Sequence, residues 1–125
     1  MAAEKYNLSM WQGDTFTLTL TIKESGAVKN LTGYTARMQI RSSYDATSVT
    51  ESLTTANGEI TITANSGTIA LQLSAARTAA ITVNRSTSQK PPRNLYVYDL
   101  ELIDSDSKVT KLIYGDVTVY GEVTR

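Results

Sequence analysis

Apolar and polar residues alternate along much of the chain. The clearest stretch is residues 15–22, where threonine occupies every odd position and a large apolar residue occupies every even one. Because successive side chains of a β-strand point to opposite faces, this alternation predicts a strand with one buried and one solvated face. Residues 6–10 show the same pattern, and Gln12-Gly13-Asp14 predicts a turn between these two strands.

A third strand is predicted after the Leu-Thr-Gly sequence at residues 31–33. Its inward positions carry Tyr, Ala, Met and Ile in turn, over residues 34–41. The outward positions include Arg37 and Arg41. We therefore expect this strand to have a basic outer face.

The middle of the chain predicts short strands and one helical turn. Between residues 49 and 73, apolar alternation is interrupted by Asn57-Gly58 and by the Asn-Ser-Gly sequence at 65–67, which indicates a meander. Residues 74–81 break the alternation. There Ser74 is a favourable N-cap and the alanines favour helix, so we expect a single short helix.

The last third begins with a polar segment and then returns to strands. Residues 84–94 contain no large apolar side chain and predict an exposed, mobile loop. Residues 96–103 alternate, and the Asp-Ser-Asp-Ser sequence at 104–107 predicts a hairpin turn. Strands are expected again over 109–123, interrupted by a bend at Gly115-Asp116.

The whole pattern is typical of an all-β protein. Roughly eight or nine short strands, with a turn signal about every 8–12 residues, indicate an antiparallel sandwich rather than a β/α fold. The 125 residues suit a single domain spanning 1–125, which is long enough to bury a core without disulfides or metals.

Composition narrows the function. Twelve Lys and Arg balance twelve Asp and Glu, so no global field attracts nucleic acid or an anionic membrane. The chain has no Cys and no His, and His is the commonest general base near neutral pH. The start lacks the features of a secretory signal, and no apolar run approaches the ~20 residues of a membrane span. We expect a soluble protein without nucleic-acid or membrane partners.

Three groups of side chains offer alternative chemistry. Asp99 and Glu101 share one strand face and could form a glycosidase-like pair, but alternating strands usually carry such residues on the solvated face. Asp104, Asp106 and Asp116 suggest a calcium loop, yet they lack the Gly and Glu positions of an EF-hand, which favours a plain turn. Ser and Thr hydroxyls are numerous, but the chain has no His to activate one of them as a nucleophile. We therefore expect no enzyme activity, no metal and no cofactor.

Aromatic residues are the first candidates for an interface. Trp11 lies one position out of register with the apolar residues before it, so it is either an exposed anchor or a core residue at the sandwich edge. Tyr114 and Tyr120 pose the same question on the last strands.

Basic residues are the second candidates. They could form one patch, which would be solvated or partner-facing, because a nucleic-acid groove would also need interleaved aromatics. The candidate residues are Arg37, Arg41, Arg85, Lys90 and Arg93.

Three segments resemble small structural proteins of tailed phages and prophages. These are residues 12–16 (Gln-Gly-Asp-Thr-Phe), residues 31–41 and residues 98–102 (Tyr-Asp-Leu-Glu-Leu). In order and spacing they are also similar to the immunoglobulin-like N-terminal domain of phage baseplate upper proteins. The resemblance implies an immunoglobulin-like sandwich and a non-enzymatic virion protein that is assembled in the host cytoplasm.

On this basis we expect a tail or baseplate adaptor or a fibre-attachment module, with other virion proteins as partners and several symmetry-related copies. One alternative is a capsid decoration, or cement, protein. Another is a carbohydrate-binding module that presents aromatics such as Trp11, Tyr96 or Tyr120 to a sugar.

Overall fold

The computed structural model describes residues 3–124, which form an all-β sandwich with one short α-helix. This confirms the predicted all-β sandwich class. The strands are β1 (Glu4–Lys5), β2 (Leu8–Trp11), β3 (Phe16–Thr21), β4 (Lys23–Glu24), β5 (Ala27–Val28), β6 (Thr35–Arg41), β7 (Glu51–Thr54), β8 (Ile60–Thr63), β9 (Thr68–Leu73), β10 (Arg93–Ile103) and β11 (Val109–Tyr120). The helix α1 spans Ala75–Ala79, and Ala64–Ser66 form a 3₁₀ turn.

The larger sheet has the order β1-β11-β10-β6-β7, with β2 also beside β11. Its centre is the long antiparallel pair β10 and β11, which runs from Arg93 opposite Tyr120 to Ile103 opposite Val109, with a shift of register between Leu100 and Glu101. The N-terminal strands β1 and β2 pair with β11 in parallel, so the prediction of a purely antiparallel sandwich is wrong at this edge. The parallel pairing is possible because the chain leaves β2 for the opposite sheet instead of turning back beside it.

The smaller sheet has the order β3-β9-β8, and β4 and β5 form a separate two-stranded hairpin. The predicted meander is wrong in part: β7 pairs with β6 in the larger sheet, whereas β8 pairs with β9 in the smaller one. The chain crosses between sheets at the turn that Asn57 closes, where its Oδ1 accepts from the Thr54 amide at 3.1 Å. A tight turn signal does not reveal whether its flanking strands pair.

The core lies between the inward faces of the two sheets, as the alternation predicted. Leu100, Val117 and Val119 from the central strands are fully buried against Ile69 and Leu73 of the smaller sheet. Two tyrosines reach into this core with their hydroxyls satisfied. Tyr96 donates to the Thr82 carbonyl at 2.5 Å, and Tyr98 donates to the Tyr6 carbonyl.

The predicted bend at Gly115-Asp116 is absent, because β11 runs without interruption from Val109 to Tyr120. A Cβ on Gly115 would lie 2.8 Å from the Tyr6 carbonyl oxygen and 2.7 Å from Asn7 Oδ1. The Asn7 oxygen also accepts from the Asp116 amide at 3.0 Å. Glycine is needed here for the close approach of the N-terminal segment.

The helix forms where Ser74 predicted it, with the Ser74 hydroxyl accepting from the Arg77 amide at 3.3 Å. It anchors the turn that follows β2. Thr78 is fully buried, donates to the Asp14 carbonyl at 2.7 Å and accepts from the Gly13 amide at 3.1 Å. This fixes the position at which the chain passes from the larger sheet to the smaller one.

Candidate functional site

Trp11, Tyr120 and Arg93 form a cluster on the outer face of the larger sheet. They come from β2, β11 and β10 and share one row, because Tyr120 is paired with Trp11 on one side and Arg93 on the other. The Trp11 and Tyr120 rings stack with centroids 4.8 Å apart, and the Arg93 guanidinium carbon lies 5.3 Å from the Tyr120 ring centre. We call these three residues the aromatic cluster.

Trp11 is exposed, which decides between the two predicted positions for this side chain. It retains 43% of its accessible surface, although it stacks on Tyr120. Leu95 lies two residues after Arg93 on the same face and is 61% exposed. A partner could therefore bury two large apolar side chains and a cation without any rearrangement of the sheet.

The Arg93 side chain has a cation–π contact with Tyr120, but it forms no hydrogen bond or ion pair with any residue from 3 to 124. Its Nε is buried without a hydrogen-bond partner. The other N–H groups of the Arg93 guanidinium can still donate hydrogen bonds to a carboxylate, since the contact with the Tyr120 ring orients the planar group. The cluster therefore combines two aromatic faces with an available positive charge.

The segment before β10 packs beside this cluster. Arg85 is half-buried, donates to Gln12 Oε1 and to the Glu122 carbonyl at 2.7 Å, and is therefore not part of a freely exposed loop as predicted. Lys90 is exposed and donates to the Arg85 carbonyl at 3.2 Å. The prediction of a freely exposed loop was wrong for Arg85, because arginine hydrogen bonds can fix a polar segment in place where no apolar side chain is present.

The five basic residues predicted as one possible patch form two groups. Arg37 donates to Glu101 Oε1 at 2.8 Å, and Arg41 donates to the Ala46 carbonyl at 3.0 Å. Glu101 lies eight residues along β10 from Arg93, which corresponds to roughly 27 Å along the strand. Arg37 is therefore paired far from the aromatic cluster, whereas Arg85 bonds to Gln12, the buried residue that follows Trp11, and Lys90 bonds to Arg85.

Asp99 and Glu101 lie on the outer face of β10, as the alternation predicted, and each is paired with a cation. Lys111 Nζ is 3.1 Å from Asp99 Oδ2, and this hydrogen bond raises the pKa of the lysine above its ordinary value. Glu101 receives the bond from Arg37. The two carboxylates therefore belong to ion pairs across neighbouring strands, and both line an open groove of about 350 Å³ on the outer face of the larger sheet.

The three aspartates of the possible calcium loop do not converge. Asp104 Oδ1 accepts from the amides of Asp106 and Lys108 at 2.9 Å each, which closes the hairpin turn before β11. Asp116 lies within β11. Among residues 3–124, no group of three acidic side chains is arranged to hold a metal ion.

Two exposed apolar residues of this face were missed in the sequence. Leu95 has the same parity as Val97, so its outward position could have been inferred by extending β10 towards the polar segment. Tyr44 is 74% exposed and lines a groove of about 150 Å³ with Arg41, Val97 and Asp99. It lies in the connection between β6 and β7, where no alternation indicated its position. Tyr114 is half-buried opposite Asp99.

The sequence matches no protein-family model and no curated protein. In the described part of the chain, no helix has the length and apolar character needed to cross a bilayer. The features that bear on function are therefore the fold, the outer face of the larger sheet and the three segments that resemble phage structural proteins.

Proposed function

We propose that this chain is a non-enzymatic structural protein of a tailed-phage virion, acting as a tail or baseplate adaptor or a fibre-attachment module. It would dock onto neighbouring virion proteins through the outer face of the larger sheet. The observation that carries the proposal is the aromatic cluster, in which Tyr120 contacts an exposed Trp11 and an Arg93 side chain that has no ion-pair partner among residues 3–124.

The composition of the cluster supports a docking role. Trp, Tyr and Arg are the residues most enriched among those that contribute most to protein interfaces. All three lie on hydrogen-bonded strands, so little backbone conformational entropy is lost when a partner binds. Leu95 extends the apolar surface, which gives a partner a central contact with a charged rim.

The phage assignment is supported by resemblance. The Gln-Gly-Asp-Thr-Phe segment contains the turn that follows Trp11, and Thr78 binds both sides of that turn. The segment at 98–102 lies in β10, which also carries Arg93. The first of these segments therefore adjoins the aromatic cluster, whereas the second lies farther along the same strand.

The proposal is tested by locating the chain in purified particles. Particles from a host that carries the gene would be separated into heads and tails, and each fraction would be quantified by mass spectrometry. We expect the chain in the tail fraction at a fixed ratio to other tail proteins. Its presence in heads alone would support the cement alternative, and its absence from particles would contradict a virion role.

Carbohydrate binding is the second candidate, because Trp11 is an exposed aromatic on a sandwich face. Of the three aromatics considered for that role, Tyr96 is buried and its hydroxyl is used internally, while Tyr120 is covered on one side by Trp11. Binding on a glycan array that is lost in Trp11→Ala would favour this candidate over the docking role.

A further inference from the structure

Strand β3 of the smaller sheet is paired on one side only in the described part of the chain. It forms hydrogen bonds with β9, and no other described strand lies along its second side. Two grooves adjoin this open side. One, of about 280 Å³, lies between residues 15–17 and residues 9–11; the other, of about 230 Å³, lies between residues 20–23 and the 112–113 segment.

The backbone of β3 presents donors and acceptors to this open edge. The Ile22 amide donates to the Gly67 carbonyl at 2.7 Å, so the even-numbered residues direct their polar groups towards β9. Because these directions alternate along an antiparallel strand, the amides and carbonyls of Thr17, Thr19 and Thr21 point to the open edge. None of them bonds to another segment within residues 3–124.

The strand lacks the features that usually protect an exposed edge. Residues 16–21 are Phe-Thr-Leu-Thr-Leu-Thr, with no charge, no Pro and no Gly. Natural edge strands are normally protected by lysine, proline, a bulge or a covering segment. The inward side chains Phe16, Leu18 and Leu20 are only partly buried, which leaves apolar surface along the open side of the core.

We propose that a second copy of this chain pairs with this edge, β3 against β3 and antiparallel, about a twofold axis at Thr19. Hydrogen-bonded pairs require odd positions to face odd positions, so Thr19 lies opposite Thr19 and Thr17 opposite Thr21 of the second copy. Leu18 then lies opposite Leu20 on the core side. The two three-stranded sheets join into one of six strands.

The strand is suited to its own copy because it is uncharged and symmetric about Thr19. Threonine lies opposite threonine on the outer face, and such cross-strand pairs are favourable. At the ends, Lys23 lies opposite Thr15 of the second copy, one residue from Asp14. Glu24, which would face Asp14, is already bonded to Lys29 at 2.8 Å. An acidic or basic partner strand would find no complementary charge along residues 16–21.

The pairing goes beyond the proposed function, because it also determines how the two docking surfaces of a dimer are oriented. A twofold axis perpendicular to the sheets leaves the outer faces of both larger sheets on the same side. The dimer would therefore present two aromatic clusters to one assembly, and bivalent attachment raises the overall affinity without a new contact.

The pairing is tested with charge variants at its centre, using sedimentation velocity over a concentration series. The wild-type chain should be a dimer that dissociates on dilution. Thr19→Lys and Thr19→Glu, each placing like charges face to face, should weaken dimerisation by about tenfold or more. An equimolar mixture of the two variants should restore it, because Lys and Glu then face each other across the axis.

Thr61→Lys is the matched control, since Thr61 is exposed on the same sheet face but lies on β8, at the far edge. It should dimerise like the wild type. A monomeric wild type, an equal loss in Thr61→Lys, or no recovery in the mixture would overturn the pairing. Thr19→Lys that is monomeric yet still found in tails would leave the proposed virion role intact, so the two proposals can fail separately.

Discussion

At the scale of single residues, the tyrosines and the tryptophan divide into two groups by environment. Tyr96 and Tyr98 are buried with their hydroxyls bonded to backbone carbonyls, so they stabilise the core. Trp11 and Tyr120 lie on the opposite face of the same sheet, and their stacked rings remain available to a partner. Side-chain parity along a strand therefore separates the structural aromatics from the candidate docking ones.

Tyr98 should make the fold sensitive to alkaline pH. Burial raises the pKa of its hydroxyl above the ordinary value of 10, so the folded state favours the neutral form. Its contribution to stability is complete below the unfolded-state pKa and is lost as pH rises above about 10. Tyr98→Phe should be about 1 kcal/mol less stable at pH 7, through loss of the bond to the Tyr6 carbonyl.

Urea unfolding of wild type and Tyr98→Phe at several pH values checks this expectation. The difference in unfolding free energy between them should shrink above about pH 10, because only the wild type can ionise at this position. Two stability curves that stay parallel up to pH 11 would show that the hydroxyl is not held in its neutral form by the fold.

At the scale of elements, Arg77 connects the helix to both sheets. Its guanidinium binds Glu51 of β7 and Glu59, which precedes β8, and the two carboxylates are only 11% and 15% exposed. These hydrogen bonds raise the pKa of Arg77. The crossing of the chain from the larger sheet to the smaller one is thereby fixed beside α1.

Removal of Arg77 should cost more than removal of a comparable surface arginine. Arg77→Ala leaves two half-buried carboxylates without a cation and should lower the unfolding free energy by about 2 kcal/mol. Arg37→Ala is the matched control, since Arg37 is 52% exposed and pairs with a single carboxylate, and it should cost under about 1 kcal/mol. Equal losses by chemical denaturation would show that the Arg77 bonds do not support the crossing.

The N-terminal strands should depend on the absence of a side chain at Gly115. Gly115→Ala places a Cβ against the Tyr6 carbonyl and should cost about 1–3 kcal/mol. Amide exchange should accelerate at Tyr6, which donates to the Tyr114 carbonyl, and at Asp116.

Gly58→Ala serves as the control, because a Cβ there meets nothing within 4 Å, although its φ of 85° also disfavours alanine. It should lower stability without changing exchange at Tyr6 or Asp116. Unchanged exchange at both amides in Gly115→Ala would mean that the N-terminal segment does not need this close approach.

Much of the element pattern was predictable because alternation depends on nearby residues only. Ser74 located the helix, and the even positions of 16–22 identified the inward face of β3. The pairing partners were not predictable, since Trp11 meets Tyr120 across more than a hundred residues. Gly115 led to the wrong prediction of a bend, because the sequence does not distinguish a glycine in a bend from a glycine that allows another segment to approach closely. The sequence places Arg93 in a loop, because no large apolar residue before Leu95 indicates that β10 begins at Arg93.

At the scale of the whole molecule, the two proposed contacts use different parts of the sandwich. The outer face of the larger sheet carries the aromatic cluster. The open edge of β3 lies at the side of the smaller sheet and is suited to a second copy. Under the two proposals, the chain binds its assembly through the first surface and associates with itself through the second.

The central claim is that the aromatic cluster attaches the chain to the virion. The most direct measurement is the amount of chain recovered in purified particles for the double variant Trp11→Ala and Arg93→Ala, compared with Thr61→Lys and wild type at equal expression. We predict that the double variant, folded by circular dichroism, falls by about tenfold or more while Thr61→Lys is unchanged. Recovery of the double variant at the wild-type level would contradict the claim.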